Sequence, residues 1–243
     1  MHTSTPHIDT ELYGLFQGGP HMVYHKSDVI LRGDFPADRL YYIESGYVKA
    51  YSLNDRGEEY VHLLYGPGDI FPLIGLINNT VRDIFYESLD TAQLFSYQKD
   101  SLHELLETHP TLTKEMLHQS LRQLTIYGDR LDNLEYKYTQ ERLAYRIILL
   151  ISRFGEHQRS TNRYIVAIPL SQQVLASSIN ASRESVNREL ERMARKGIIT
   201  YNRHTIVVNN FDALIKLLPG KLNFDVWEAI TQSNGVVRAV NHT

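Results

Sequence analysis

The sequence predicts an α+β fold in three parts: an N-terminal β jelly roll, a long helix with a narrow apolar seam, and a C-terminal winged helix-turn-helix. Three observations predict it. Short runs of Tyr, Val, Ile and Leu alternate with Gly, Pro, Asn and Asp turn signals from about residue 20 to 98. Apolar residues then recur every seven positions from Leu117 onward. Between residues 170 and 208, two short amphipathic segments with polar caps precede a β-hairpin.

In the first part, Leu40-Tyr41-Tyr42-Ile43 leads into Ser45-Gly46, and Tyr47-Val48-Lys49-Ala50-Tyr51 follows. Asn54-Asp55-Arg56-Gly57 is a turn before Tyr60-Val61-His62-Leu63-Leu64-Tyr65, and Gly66-Pro67-Gly68-Asp69 is another. Regular short strands with this punctuation describe a sandwich or jelly-roll barrel. The pattern changes near Lys99. Residues 100–108 read as a short helix that stops before Pro110, and a longer helix runs from about Thr111 to Tyr138. Leu117, Leu124, Leu131 and Tyr138 are spaced by sevens in it, with Ser120, Tyr127 and Leu134 at the complementary heptad position. So narrow a seam suits two helices better than a helix buried in one domain, so Leu117, Leu124, Tyr127, Leu131 and Leu134 read as a homodimer contact. Gly128 costs this helix about 1 kcal/mol relative to Ala and suits a bend or a close backbone approach.

Residues 141–154 read as a further helix with Leu143, Ile147, Leu150 and Ile151 on one face, and residues 155–163 as a polar loop. The domains are therefore 1–110, 111–138 and 139–218, followed by an extension, 219–243. Within the extension, residues 223–230 around the single Trp227 read as a short helix.

Bulk composition bounds the function. The chain has 243 residues, 42% of them hydrophobic, enough for one large or two small cores. The longest aliphatic run, Ile147 to Ile151, is far short of the roughly 20 apolar residues of a membrane span. Residues 1–19 lack the basic and apolar regions of a secretory signal. There is no cysteine, which excludes disulfides, thiolate metal sites and an iron–sulfur cluster held by Cys. These features predict a cytoplasmic protein with no membrane partner. The net charge of −3 hides an asymmetry: residues 1–137 hold 11 Lys and Arg against 20 Asp and Glu, whereas residues 138–243 hold 14 against 8. An acidic half joined to a basic half points to a polyanion meeting only the second.

The motif at residues 170–197 decides what that polyanion is. Ser171 is a good N-cap for a first helix over 172–179, in which Leu175 and Ile179 face inward and Ala176 lets a second helix cross closely. Asn180 stands where the chain turns and tolerates the left-handed conformation. Ser182 caps a second helix beginning at Arg183, with Val186, Leu190, Met193 and Ala194 inward and Arg183, Glu184, Asn187 and Arg188 on the outer face. Gly197 ends it, and residues 198–208 make a hairpin, the wing. An outer face of this kind reads double-stranded DNA: Arg presents a fork to guanine, and Glu accepts from cytosine N4.

The sequence resembles the cyclic AMP receptor protein/FNR (Crp/Fnr) family of transcription regulators. The resemblance rests on Tyr42-Ile43-Glu44-Ser45-Gly46-Tyr47-Val48-Lys49 and Gly66-Pro67-Gly68-Asp69-Ile70-Phe71 in the first half. In the second half it rests on Leu170-Ser171 and Ser182-Arg183-Glu184-Ser185-Val186-Asn187-Arg188. It implies a jelly-roll sensor domain, a homodimer on a palindromic DNA site, and RNA polymerase as a partner where the protein activates. It also implies an Arg-Glu-x-x-x-Arg reading head: Arg183 and Arg188 on guanines, Glu184 on a cytosine, Ser171 and Ser182 on phosphates, and a half-site similar to TGTGA. Asn187 replaces a smaller residue common in the family.

The effector positions that the resemblance designates are Phe71, Leu73, Arg82 and Tyr127. Family members that bind cyclic nucleotides carry a Gly-Glu pair for the ribose, where this chain has Pro72-Leu73, and an Arg-Ser or Arg-Ala pair for the phosphate, where it has Asp83-Ile84. Arg82 lies one position early, and Tyr127-Gly128 replaces a Thr-Ser pair that meets adenine. Leu73 in place of a carboxylate removes the hydrogen bonds that compensate burial of a ribose hydroxyl, which argues against cyclic AMP and leaves the effector unknown. Two other effector readings are weaker. His21, His25 and His62 lack the helical context that would make their spacing a metal or haem site. Tyr41, Tyr42, Tyr47, Tyr51, Tyr60, Tyr65 and Tyr86 read as ordinary strand residues with their hydroxyls in water rather than as a pocket for an apolar or aromatic metabolite. The competing reading of the whole chain, a jelly-roll small-molecule-binding module or metal-dependent enzyme with a structural C-terminal half, needs clustered His and carboxylates at ligand spacing. It leaves the face of Arg183, Glu184 and Arg188 unexplained.

Overall fold

The computed structural model describes residues 10–219 except Asn79, Arg82 and Arg203. The sequence-predicted helix at 223–230 and the effector candidate Arg82 lie outside the described residues. The chain divides into two compact units that meet at Gly128 and Asp129.

The first unit begins with α1 (Thr10–Gln17) and continues into β1 (His21–Tyr24), β2 (Val29–Leu31), β3 (Arg39–Ser45), β4 (Val48–Leu53), β5 (Glu59–Tyr65) and β6 (Ile70–Phe71). After the short α2 (Leu73–Ile77) come β7 (Phe85–Ser88), β8 (Ala92–Gln98), α3 (Lys99–Thr108) and the long α4 (Pro110–Glu135). Two four-stranded antiparallel sheets, in the orders β1-β8-β3-β6 and β2-β7-β4-β5, make the jelly roll. The turns are built as their sequences demand. Asn54 Oδ1 accepts from the backbone N–H of Arg56 and Glu58, both at 2.9 Å. Asp69 Oδ2 accepts from Gly66 N–H at 2.8 Å. At Gly46 the backbone turns with φ +83°, and a Cβ there would lie 2.6 Å from the Thr91 carbonyl oxygen, so only glycine fits.

The unbroken apolar run in β3 has a physical cause: both of its faces are covered. Tyr41 and Ile43 point into the barrel with Val48, Leu63, Phe71 and Leu94. Leu40 and Tyr42 point the other way, into a layer with Leu12 and Phe16 of α1, Leu73 and Leu76 of α2, and Leu112 and Met116 of α4. The tyrosines are therefore not all wet, contrary to the sequence expectation. Tyr41, Tyr42, Tyr51 and Tyr65 are buried, Tyr42 completely, and burial pushes the Tyr41 hydroxyl up to about 12.

Along α4, Leu112, Met116, Gln119, Gln123 and Ile126 form the buried side. Gln119 Nε2 donates to the Gly68 carbonyl at 3.2 Å and Gln123 Nε2 to the Ile70 carbonyl at 3.0 Å. The opposite side carries exposed leucines: 117, 121, 124 and 131 are between 51% and 67% accessible. α4 stops at Glu135, short of the expected Tyr138. Tyr138 is extended and begins the next helix, its backbone N–H donating to Glu141 Oε2 at 3.0 Å.

In the second unit, α5 (Thr139–Phe154) is buried almost all round, with Leu143, Ile147 and Ile151 fully inaccessible. Residues 155–163, expected to be a loop, instead start a hairpin of β9 (Gly155–Gln158) and β10 (Arg163–Val166), turned at Asn162 with φ +50°. Then follow α6 (Gln172–Ser178), α7 (Arg183–Arg195), β11 (Ile199–Asn202), β12 (Thr205–Val208) and α8 (Phe211–Ile215). The sheet order β11-β12-β10-β9 joins the wing to the unforeseen hairpin.

Candidate nucleic-acid interface

The helix pair α6 and α7 is set by local chemistry. Ser171 Oγ accepts from Val174 N–H at 3.1 Å and Ser182 Oγ from Ser185 N–H at 3.2 Å, so each helix has the side-chain cap its sequence offers. Asn180 turns the chain with φ +51°, and Gly197 closes α7 with φ +69°. Leu175, Ala176 and Ile179 meet Val186, Leu190 and Met193 in the buried side of the pair. Ala194, expected to face inward, is exposed, because the buried row ends at Met193 as the helix terminates.

Arg183, Glu184 and Arg188 are exposed on the first two turns of α7, and none forms an ion pair with a described residue. Arg188 Nη2 reaches only Ser185 Oγ, at 3.3 Å. Asn187 is held on both sides: Gln172 Nε2 donates to its Oδ1 at 2.6 Å, and its Nδ2 donates to Glu191 Oε1 at 3.0 Å. The first bond ties α6 to α7 and the second lies within α7; sequence reasoning foresaw neither. On the wing, the Tyr201 hydroxyl donates to the Leu170 carbonyl at 2.9 Å. Burial pushes that hydroxyl up, and the Arg183 guanidinium at the start of α7 pulls it back.

A second site lies in the first unit, a cavity of about 370 Å³. Of the sequence-predicted effector residues it brings together Leu73 and Tyr127. Phe71 does not line it but stacks on a residue that does, Tyr86, with ring centroids 4.9 Å apart. Of the histidines, His21 lies 3.1 Å from Glu44 and His62 2.8 Å from Ser52. Among the described residues no group of three or more His, Asp or Glu is placed to hold a metal ion, and no helix is long and apolar enough to cross a membrane.

A jelly roll followed by a long helix and a capped helix pair with a wing defines a DNA-binding transcription regulator with a ligand-binding-type domain, and the comparisons bear this out. Residues 21–109 match the model of cyclic nucleotide-binding domains, and residues 141–217 that of Crp-like helix-turn-helix domains. The chain is 26% identical over 181 residues to the CRP-like cAMP-activated global transcriptional regulator of Mycobacterium tuberculosis, covering 74% of this chain and 80% of that protein. It is 26% identical over 194 residues to the anaerobic regulatory protein of Pasteurella multocida, covering 79% and 69%. Its fold is that of FixK2 from Bradyrhizobium japonicum, with a TM-score of 0.73 at 21% identity over 84% of this chain and 99% of that one. The chain belongs to the Crp/Fnr family of transcription regulators. These relatives are regulators, not enzymes.

Proposed function

We propose that the protein binds a two-fold symmetric DNA site as a homodimer, one α7 in each of two successive major grooves. The observation that carries this reading is the exposed set Arg183, Glu184 and Arg188 at the capped start of α7, none of them in an ion pair with a described residue. Guanidinium forks and a carboxylate that no described residue neutralises can pair with base edges, Arg183 and Arg188 with guanines and Glu184 with a cytosine. Asn187, fixed by Gln172 and Glu191, presents its edge beside them. Ser171 uses its lone pair as a cap and keeps its proton for a phosphate; Ser182, at the matching position of α7, donates to Ser185 Oγ at 2.9 Å in the free protein and would exchange that bond for a phosphate. The dimer closes on α4 through Leu117, Leu124 and Leu131, joined by the exposed Leu121 and flanked by the half-buried Tyr127 and Leu134. Gly128 lies in the same row, and apart from its chain neighbours and the adjoining helix backbone no described atom lies within 4 Å of where a Cβ would be, which leaves room for a facing helix.

The cavity of the first unit is the effector site in this reading, and its effector is not cyclic AMP. Leu73, 1% exposed, occupies the place of the ribose-binding carboxylate, and Ile84 an adjoining part of the wall. The experiment is selection from a randomised duplex library with purified protein at two salt concentrations. Enrichment of a symmetric site with half-sites about one helical turn apart, lost steeply with salt, is expected. No enrichment at either salt, nor with cell extract added to supply an effector, overturns the reading.

A further inference from the structure

We infer that the cavity of the first unit takes an uncharged, compact aromatic molecule; this rests on the reading of that cavity as the effector site and names its ligand class. Three features of the walls carry the inference. The first is an aromatic floor. Tyr65 and Tyr86 line the cavity with ring centroids 6.0 Å apart, and behind them Phe71 stacks on Tyr86 at 4.9 Å and on Tyr41 at 5.4 Å, nearly parallel in both cases. A ligand ring laid on Tyr86 extends a stack that the fold has already built, with Tyr127 of α4 also in the wall.

The second feature is charge balance. Among the described lining residues one cation and one anion occur, Arg32 and Asp38. Arg32 is engaged by Asp34 through two bonds of 3.3 and 3.4 Å, and Asp38 lies exposed, 4.0 Å from Arg39. Neither is left to neutralise a buried ligand charge. Among the described lining residues the remaining polar groups, such as Thr80, Gln123 and the Tyr hydroxyls, are uncharged, and Leu73, Ile84 and Phe35 are apolar. The third feature is the rim. Phe35 lines the cavity yet is 66% exposed, and Val81, beside the lining residue Thr80, is 52% exposed. An exposed aromatic side chain in the cavity wall marks an entrance for a ligand with an apolar ring.

The test titrates the full-length protein with N-phenyl-1-naphthylamine, an uncharged fluorophore that brightens in apolar surroundings. A saturable rise is expected, unaffected by millimolar cyclic AMP. Phe35→Asp, on the exposed rim and so safe for folding, and Tyr127→Ala, in the wall, are each expected to weaken it about tenfold. Leu53→Asp, exposed at the end of β4 and outside both the cavity and the α4 row, is expected to leave it unchanged. No saturable rise overturns the inference. So does a rise that survives both cavity variants, since the probe would then sit outside the cavity, on a surface such as the α4 leucines. DNA affinity followed by fluorescence anisotropy of a labelled duplex in the same samples separates the two readings. A probe that binds the cavity but leaves DNA affinity unchanged supports the ligand class and removes the effector role from the cavity.

Discussion

Arg188 lies exposed on the second turn of α7. Its guanidinium leaves α7 with only a 3.3 Å contact to Ser185 Oγ, so little holds it back from a guanine. Arg188→Ala is expected to relax base preference at one position of the half-site and to cost roughly 1–3 kcal/mol on the preferred sequence. Competition binding on preferred and scrambled duplexes checks it; equal losses on both would assign Arg188 to phosphate. Asp129 poses a different problem. It is buried, and desolvation first, then Asp132, raises its carboxyl to about 6 against the pull of Arg153 and Arg146. Arg146 is itself driven down to about 9 by burial and by Arg153 and Arg130. An unfolded aspartate titrates near 4, so the folded chain holds this proton more tightly. The stability this group lends is therefore present below about pH 4 and lost as pH rises through about 6. Denaturant unfolding of the wild type and of Asp129→Asn across that window should show wild-type stability falling relative to the variant as pH rises. A constant difference would mean that the carboxyl is not raised.

Among the elements, α4 is the one with two apolar sides. Leu112, Met116 and Ile126 are consumed by the first unit's own core, while Leu124 and Leu131 remain 66% and 67% exposed. A leucine row left in water on a helix whose other side is already buried is the mark of a second copy. Leu124→Asp or Leu131→Asp is expected to convert the dimer to monomers by light scattering and to abolish binding to a symmetric site, and a variant that remains dimeric sinks the seam. The seven-residue spacing made this row readable because it is a local pattern. The other side of α4 was harder to see, since it includes Gln119 and Gln123, polar residues whose bonds go to backbone carbonyls more than 50 positions away in sequence. The same division runs through the chain. Strands β3 to β5 and the helix pair α6–α7 were legible because turns, caps and a glycine stop announce them. The β9–β10 hairpin was not, because a polar four-residue strand such as Gly155–Gln158 is fixed by its pairing and not by its composition. α1 escaped for a related reason: eight residues carry little periodicity, and what holds them is the docking of Leu12 and Phe16 on Leu40 and Tyr42. In the helix pair the caps Ser171 and Ser182 and the outward placing of Arg183, Glu184 and Arg188 were legible, but the Gln172–Asn187–Glu191 network was not.

For the molecule as a whole, charge and ligand chemistry are divided between the two halves of the sequence. Residues 138–243 carry 14 Lys and Arg against 8 Asp and Glu, and residues 1–137 carry 11 against 20. The basic half draws DNA, and the acidic half discourages the same polyanion from binding elsewhere. A regulator so divided responds to a small molecule only if that molecule binds one state of the protein better than another, and such binding also raises stability. This makes thermal unfolding a direct test of what the first unit recognises. A ligand at one hundred times its Kd adds about 2.7 kcal/mol, which moves the melting temperature of a chain of this size by roughly 5–10 °C. Cyclic AMP at millimolar concentration is expected to produce no shift. Leu73 offers its ribose hydroxyl no acceptor, and the Arg32 guanidinium in the cavity wall is already bonded to Asp34. A saturable rise would show that a charged ligand finds a partner in the cavity, and would overturn both the exclusion of cyclic AMP and the uncharged ligand class. An unchanged melting temperature with cyclic AMP, beside a rise with an uncharged aromatic, would separate this protein from the nucleotide-responsive members of its family on the chemistry of one wall.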